Sequence, residues 1–328
     1  MSLMELTPIQ LLVKADFDKV DKLINNCLHS NIPLIPQLAS HLIDGGGKRL
    51  RPLIVLLSAG AFHYSGDAHL SLAATLELIH TATLLHDDVI DVSALRRGKK
   101  TANSLWGNSA SILVGDFLYS RAFQLMVEIN NPRVLKLLAD ATNTLSQAEI
   151  LQLINCHNAD LNETQCLKII EGKTGILFSI AAQLPAILAG RNETEIKAMS
   201  NYGLQLGIAF QLIDDTLDYI GTTLHIGKTK GDDLAEGKAT LPLIYALRQV
   251  EGKNQKQAKL IRKAISKGDR KHLDAITDII EFTNAIQYTN KRAQTHAEKA
   301  IVHLQAIPNS KYREALSSLA KFSISRTY

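Results

Sequence analysis

Two short acidic patterns lie inside otherwise apolar sequence, and this combination constrains the fold more than any other feature. The first pentad, residues 87–91, reads DDVID, and the second pentad, residues 214–218, reads DDTLD. On a helix, the first and fifth residues of each pentad share one face, one turn apart. Buried charge is costly unless it is paired or bound to a cation. We therefore predict buried helices whose acidic stripes line an internal cleft.

The rest of the sequence favours a helical fold. Apolar residues recur at helical spacing over long stretches, and short turns rich in Gly, Asn or Pro separate roughly ten such stretches. The 328 residues include only 8 prolines and 19 glycines, which argues against a loop-rich or β-rich architecture. No linker or composition shift divides the chain. We predict an all-α fold with a single domain over residues 1–328.

Charge, cysteine content and hydropathy exclude several classes of protein. The net charge of +4 is mild and the basic residues form no long runs, so we expect no nucleic-acid partner. The three cysteines are scattered without metal-binding spacing, which favours a reducing compartment. The N-terminus lacks the pattern of a signal peptide, and no apolar run reaches about 18 residues. We expect a cytoplasmic protein without a transmembrane segment.

The acidic stripes predict a metal site that holds a phosphate ester. Three carboxylates so close together repel one another and raise their pKa values unless a cation joins them. Magnesium suits the site, because it binds a few carboxylates and fills its other positions with water and phosphate oxygens. A single pentad of this kind is as often a solvated helix end, but both copies lie deep in apolar helices. Six aspartates are therefore the candidate metal ligands: Asp87, Asp88, Asp91, Asp214, Asp215 and Asp218.

Basic clusters extend the same argument. They occupy residues 45–52, 96–100, 173–174 and 227–238, and the first joins three glycines to three cations. Each cluster alone is typical of a solvated surface, but beside two magnesium sites they predict the binding of diphosphates. His80 shares a helix face with Thr83, Asp87 and Asp91. A histidine on an apolar helix is more often a core residue, but this stripe favours contact with a ligand.

These segments together resemble the trans-isoprenyl diphosphate synthases, also called polyprenyl synthetases. The resemblance is carried by residues 45–52, 80–91, 96–98, 173–174, 210–215 and 227–242, and it runs over nearly the whole chain. Residues 113–124 and 149–153 are most similar to the octaprenyl-type members of bacteria. The resemblance implies the isoprenoid synthase fold, in which helices surround a deep cavity, and a homodimer.

The resemblance also implies a reaction and a role for each matching residue. An allylic diphosphate ionises, isopentenyl diphosphate attacks the carbocation, and a proton is lost, with roughly two or three magnesium ions per site. Asp87, Asp91 and Asp214 would bind magnesium directly, and the other three aspartates would support them through water. The allylic diphosphate would contact Arg96, Lys173, Gln211, Lys228 and Lys238. Isopentenyl diphosphate would contact Lys48, Arg51, His80 and Arg97. Thr174 and Gln211 would stabilise the carbocation with their oxygen dipoles, and no dedicated general base is needed.

Small residues behind the first pentad indicate a long product. Ala82 and Thr83 lie one to one and a half turns before Asp87, where short-chain relatives carry aromatic rings. We place the floor of the cavity further away, at Phe123 on the Tyr119, Phe123 and Met126 face. Alternatively, the small residues only permit helix packing.

The function predicted from these features is elongation of farnesyl diphosphate to an octaprenyl diphosphate for quinone side chains. Release of such a product would involve transient contact with a membrane. The alternatives are a synthase of another length (geranylgeranyl, heptaprenyl or solanesyl), a terpene cyclase, or a non-catalytic partner subunit. A terpene cyclase would not need the residues that match the isopentenyl diphosphate site.

Overall fold

The structure, a computed structural model, describes residues 6–43, 47–96, 98–220 and 230–326. Two predicted site residues, Arg97 and Lys228, and part of the glycine-rich segment before Lys48 lie outside the described residues. The helices run in chain order as α1 (Thr7–Leu11), α2 (Lys14–Cys27), α3 (Leu34–Ile43), α4 (Leu50–Ala61), α5 (Ala68–Ile90), α6 (Ala102–Trp106), α7 (Asn108–Glu128), α8 (Pro132–Asn155), α9 (Glu163–Ile170), α10 (Ile176–Leu188), α11 (Glu193–Ile220), α12 (Asp232–Ala235), α13 (Leu241–Val250), α14 (Gln255–Lys267), α15 (Leu273–Phe282), α16 (Ala285–His303) and α17 (Lys311–Ser325).

The predicted all-α fold is confirmed. Within the described ranges there are two strands of two residues each, β1 (Leu95–Arg96) and β2 (Lys99–Lys100), which pair antiparallel as a short hairpin. A π-helical segment (Glu171–Gly175) joins α9 to α10, and a 3₁₀ turn (Leu304–Ala306) follows α16.

Polar residues in the predicted turns begin several of these helices. The side chain of Asn131 accepts hydrogen bonds from the first backbone N–H groups of α8, and Pro132 follows at the first helical position. Asn162 and Gln165 form a capping box at the start of α9. The Ser310 side chain caps α17 by accepting a hydrogen bond from the backbone N–H of Arg313. Polar and proline residues in the sequence therefore coincide with the starts of these helices.

Helix α5, which ends at the first pentad, lies in the centre of the molecule. It packs against α7, α4 and α2, and most of its residues are buried. Among the described helices, it alone is long and apolar enough to match a membrane span by composition. Its burial inside the fold accounts for that composition, as for the core helix of a globular protein.

Buried side chains form two hydrophobic clusters, and α11 contributes to both. The first cluster includes Met199 and Tyr202 from the N-terminal half of α11, packed with residues of α4, α5, α7 and α10. The second includes Leu212 and Leu217 from its C-terminal half, packed with residues of α9 and α13–α16. The second pentad therefore lies where α11 passes through the second cluster.

Glycines let α11 approach the π-helical segment and α10 closely. A Cβ atom added at Gly207 would lie 2.8 Å from the Cα of Gly175, and one added at Gly203 would lie 2.2 Å from the carbonyl oxygen of Phe178. Both contacts are with rigid backbone, so a larger residue would push the helices apart. This close packing brings Gln211 of α11 against Thr174 of the π-helical segment.

Candidate active site

A cavity of about 770 Å³ lies between the two hydrophobic clusters and contains both acidic pentads in its wall. The wall also includes apolar residues such as Leu84, Leu145 and Leu177. Fourteen predicted site residues line it: Lys48, Arg51, His80, Thr83, Asp87, Asp91, Arg96, Lys173, Thr174, Gln211, Asp214, Asp215, Asp218 and Lys238. Of the other predicted residues that the structure describes, Asp88, Ala82 and Phe123 are absent from this wall.

The first pentad faces Lys173. The ammonium nitrogen of Lys173 lies 3.3 Å from Asp87 Oδ2, 2.7 Å from Glu149 Oε2 and 2.8 Å from Gln152 Oε1. Burial opposes the charge of this lysine, but Asp87 and Glu149 outweigh burial and raise its pKa. Lys173 is therefore a fixed cation beside Asp87. Glu149 and Gln152, which position it, belong to the segment 149–153 that resembles the octaprenyl-type members, but the sequence analysis did not assign them to the site.

Lys238 pairs with Asp91 at the other end of the first pentad, as Lys173 pairs with Asp87. Its ammonium nitrogen lies 2.9 Å from Asp91 Oδ2 and 2.6 Å from Glu236 Oε2. Burial opposes the positive charge here too, but the carboxylates of Asp91, Glu236 and Asp233 raise the pKa of Lys238. Two permanently charged lysines thus border the first pentad.

Asp88 has a different environment from its two neighbours in the pentad. It is fully buried, and its Oδ1 accepts hydrogen bonds from Nε of Arg96 at 2.9 Å and from Nη2 at 2.8 Å. Asn103 also donates to the carbonyl oxygen of Asp88 at 3.0 Å. The structure therefore places Asp88 as the anchor of the β1–β2 hairpin, which carries Arg96 to the edge of the cavity.

The second pentad pairs with an arginine that the sequence analysis missed. Nη1 of Arg326 lies 2.7 Å from Asp214 Oδ1, Nη2 donates to the carbonyl oxygen of Phe210 at 2.7 Å, and the guanidinium lies 3.6 Å from the centre of the Phe210 ring. The Arg326 side chain is 2% exposed. No glycine, proline or second cation near Arg326 marks it in the sequence as a site residue.

Asp215 and Asp218 make different contacts. Asp215 Oδ1 accepts a hydrogen bond from Gln211 Nε2 at 3.0 Å, and burial together with Asp233 raises the pKa of Asp215 well above its usual value. The Asp218 carboxylate accepts backbone N–H groups of Asp232 at 3.1 Å and Asp233 at 3.3 Å. Asp218 therefore caps α12, the short helix that leads to Lys238.

Thr174 and Gln211 form a polar pair in the same wall. The Thr174 hydroxyl donates to Gln211 Oε1 at 2.9 Å. Thr174 lies in the π-helical segment, a local widening that is frequent at functional sites. A Cβ atom added at Gly172 of this segment would lie 2.6 Å from the Cβ of Ala148, so the segment packs tightly against α8. The oxygen lone pairs of Thr174 remain available to a ligand.

Arg51 presents a donor suited to an anion. Its guanidinium lies 5.0 Å from the centre of the Phe178 ring, and its Nε is buried without a hydrogen-bond partner in the described structure. Burial lowers the pKa of Arg51 to about 10, although Glu77 and Asp214 partly offset this effect. Lys48 and His80 line the same cavity. Three of the four residues predicted to hold isopentenyl diphosphate are thus together.

The three predicted chain-length residues are in different environments. Thr83 lines the cavity, and its hydroxyl donates to the carbonyl oxygen of His80 at 2.8 Å. Ala82 is fully buried in helix packing, outside the cavity wall. Phe123 is 45% exposed on α7. The structure thus brings only Thr83 of this set into the cavity.

The acidic residues fit a divalent cation, although they are paired with basic side chains in this arrangement. Among the described residues, no three His, Cys, Asp or Glu side chains converge into a ready-made metal site. Burial is the main cause of the raised pKa of Asp215, and the nearby carboxylates of Asp233, Asp214 and Asp218 add to it. Carboxylate oxygens are ligands of the kind that magnesium and calcium prefer, and a bound cation would offset this repulsion.

A second cavity, of about 710 Å³, adjoins the first and shares Asp87, Asp91, Lys173 and Lys238 with it. Its outer wall contains half-exposed apolar side chains, including Ile90 and Leu153. The charged residues shared by the two cavities therefore lie near exposed apolar side chains.

Comparison with known proteins identifies the family. The polyprenyl synthetase family model matches residues 32–282. The chain is 45% identical over 327 residues to octaprenyl diphosphate synthase of Haemophilus influenzae, covering 99% of this chain and 98% of the relative. The octaprenyl diphosphate synthase of Escherichia coli is 45% identical over 324 residues, covering 98% and 99%.

A crystal structure of polyprenyl synthase from Caulobacter crescentus, complexed with calcium and isoprenyl diphosphate, superposes with a TM-score of 0.95. It is 42% identical and covers 100% of both chains. The resemblance to the trans-isoprenyl diphosphate synthases is thereby confirmed, as is the isoprenoid synthase fold. The chain belongs to the polyprenyl synthetase family and is a long-chain trans-prenyltransferase.

Proposed function

We propose that the protein synthesises octaprenyl diphosphate by adding successive isopentenyl diphosphates to an allylic diphosphate, with farnesyl diphosphate as the primer. One observation carries the proposal: residues of both acidic pentads and their lysine and arginine partners line one cavity together with apolar side chains. This arrangement suits a molecule with a diphosphate head and a hydrocarbon tail. The identity of 45% to two octaprenyl diphosphate synthases supports the product length.

The chain's own cations assist the departure of the allylic diphosphate. As the C–O bond breaks, the electron pair leaves with the diphosphate, and Lys173 and Lys238 lie where this negative charge develops. Preorganised charges at such a position lower the barrier most. Magnesium, held by Asp87, Asp91 and Asp214, would supply further charge neutralisation. Arg96 and Lys228 complete the proposed set of diphosphate ligands.

Isopentenyl diphosphate binds next to this centre, through Lys48, Arg51, His80 and Arg97. The buried Nε of Arg51 supports this assignment, because the diphosphate would give it an acceptor. The double bond of isopentenyl diphosphate attacks the allylic carbocation, and the adduct then loses a proton to the released diphosphate. The Thr174 oxygen and the amide of Gln211 stabilise the positive charge during this step.

We also propose a homodimer in the cytoplasm that touches membranes transiently when it releases product. Exposed apolar side chains on α7 and α8 support a contact between two copies, among them Leu113, Val127 and Ile154, which are 67%, 65% and 69% exposed. Surfaces of this kind mark interaction sites in globular proteins. Sedimentation should give twice the chain mass, and a monomer at working concentration would rule out the dimer. A long polyprenyl product suits quinone side chains.

Product analysis tests the function directly. The purified protein is incubated with magnesium, farnesyl diphosphate and labelled isopentenyl diphosphate, and the dephosphorylated product is sized by chromatography. We expect octaprenol as the main species. A main product of another length would replace the octaprenyl assignment while keeping the reaction. Absence of any product from the protein alone would favour a partner subunit.

A further inference from the structure

The turn that carries Lys238 is held in place from both ends. At its start, Asp218 caps α12, and Nε of Arg270 donates to the carbonyl oxygen of Gly231 at 3.2 Å. At its end, Gly237 has a φ of +70°, a conformation that L side chains rarely adopt. The backbone N–H of Lys238 donates to the carbonyl oxygen of Asp233 at 2.8 Å. The position of the Lys238 ammonium therefore depends on the shape of this turn.

His157, just after α8, contacts the turn and lines the second cavity but not the first. Its backbone N–H donates to the carbonyl oxygen of Gly237 at 2.8 Å. Its Nδ1 lies 3.2 Å from the carbonyl oxygen of Ile265 in α14, so this hydrogen bond requires the proton on Nδ1. His157 itself has a φ of +64°. A non-glycine residue in this conformation is uncommon and indicates that its surroundings impose it.

Two glycines make room for the imidazole ring. A Cβ atom at Gly237 would lie 2.3 Å from His157 Nδ1, and one at Gly268 would lie 2.7 Å from His157 Cε1. Gly268 has a φ of +61° and caps the end of α14. The ring therefore fills a slot between the Lys238 turn and α14, and it joins both to the end of α8.

We propose that His157 is a positioning residue, which holds the turn of Gly237 so that Lys238 faces Asp91 and the allylic diphosphate. The same helix, α8, carries Glu149 and Gln152, which hold Lys173. Helix α8 and His157, two residues after its end, thus position both lysines that border the first pentad. The inference rests on the proposed role of Lys238 in binding the allylic diphosphate.

Three variants test the proposal. His157→Gly removes the ring but keeps the backbone conformation and its N–H donor. His157→Asn keeps both the conformation, which asparagine tolerates well, and a side-chain donor at the place of Nδ1. The control is His63→Gly, since His63 also has a positive φ, of 52°, but lies in the turn after α4 and lines neither cavity.

The expected signature is a change in one substrate only. His157→Gly should raise the KM for farnesyl diphosphate about fivefold or more, as expected for a displaced charged hydrogen bond. The KM for isopentenyl diphosphate should stay within about twofold, because Lys48, Arg51 and His80 lie on other elements. His157→Asn should restore most of the farnesyl diphosphate affinity, and His63→Gly should change neither KM. A general loss of structure would raise both KM values and would overturn the proposal.

A double variant separates this proposal from the role of Lys238. Lys238→Ala alone should raise the KM for farnesyl diphosphate, and adding His157→Gly to it should raise that KM no further than about twofold. If Lys238→Ala has no effect, the assigned role of Lys238 is wrong. If Lys238→Ala raises this KM but His157→Gly alone does not, the proposal is wrong. If the two increases in KM multiply in the double variant, His157 does not act through Lys238. Should His157→Gly fail to fold, His157→Asp replaces it in the same comparison, because aspartate also tolerates this backbone conformation but offers the carbonyl oxygen of Ile265 no donor.

Discussion

Nη1 of Arg326 lies 2.7 Å from Oδ1 of Asp214, 112 residues earlier in the chain. The arginine is almost completely buried, while the Asp214 side chain is 40% exposed. Arg326 also covers the ring of Phe210 and hydrogen-bonds its carbonyl oxygen. Arg326 therefore joins the end of α17 to the helix that carries the second pentad. Asp214, which is proposed to bind metal, thus already has a positive charge beside it without a ligand.

Replacing Arg326 by glutamine should destabilise the protein by about 2 kcal/mol, because a partly buried carboxylate and a backbone carbonyl lose their donor. Urea denaturation measures the change. Magnesium with inorganic diphosphate should stabilise this variant more than the wild type, because it would supply the missing positive charge at Asp214. Arg133→Gln is a suitable control, since Arg133 forms an exposed pair with Glu193. Equal stability of Arg326→Gln and Arg133→Gln would contradict the prediction.

Lys173→Ala should lower kcat by about 100-fold or more, the range found when a preorganised charge at a developing anion is removed. Steady-state turnover with farnesyl diphosphate and isopentenyl diphosphate measures the effect. Lys136→Ala is the control, because Lys136 forms an exposed ion pair with Asp140 one helical turn away. Its side chain is 75% exposed. If Lys173→Ala keeps kcat within about threefold of wild type, the proposed mechanism fails.

Thr83→Phe should shorten the product, because Thr83 lines the cavity one turn before Asp87 and a phenyl ring there would occupy the path of the growing chain. Product chromatography gives the length directly. Phe123→Ala is the companion test of the floor that we predicted from the sequence. A longer product from Phe123→Ala would support that floor, whereas the exposed position of the ring favours an unchanged length. An octaprenyl product from Thr83→Phe would remove Thr83 from any role in length control.

Protonation of His296 should weaken the fold in acid. Its Nδ1 lies 2.7 Å from Gln205 Oε1, and burial, with Lys299 and Arg292, lowers the pKa of His296 to about 4. The unfolded chain binds this proton near pH 6.5, so between about pH 6.5 and 4 unfolding takes up a proton and stability falls as the pH falls. The loss is at most about 3 kcal/mol. His296→Gln should flatten this part of the stability curve, measured by urea denaturation at pH 7.5 and 5.0. An unchanged slope would show that His296 does not titrate in this window.

The sequence predicted those features that depend on local pattern. Helical spacing gave the all-α fold, and the placement of Asp87 and Asp91 one turn apart gave an acidic stripe on a cavity. It failed where a contact depends on distant parts of the chain. Arg326 has no local signal, and the segment that contains Glu149 was recognised without the contact to Lys173, because the partners of both residues lie on other elements. Asp88 follows Asp87 directly, and one residue turns a helix by about 100°, which is enough to direct its carboxylate to the hairpin.

Asp218 has a second contact that the sequence did not predict. Its role in supporting the metal through water stays a prediction, and its carboxylate also accepts backbone N–H groups of α12. The π-helical segment around Lys173 and Thr174 was also not predicted, because it spans only five residues, too few to show a period of their own. Such features depend on packing against α8 and α11.

The course of α11 through both hydrophobic clusters has a consequence for folding. Both clusters are needed to complete the site, since the first pentad ends a helix packed in the first cluster, while the second pentad lies on the half of α11 that is packed in the second. During refolding from denaturant, helical circular dichroism should return before enzymatic turnover, with turnover recovering at the rate of the slower cluster. Activity is thus the last property that the chain acquires, and a destabilised second cluster would give a largely helical protein that does not turn over substrate.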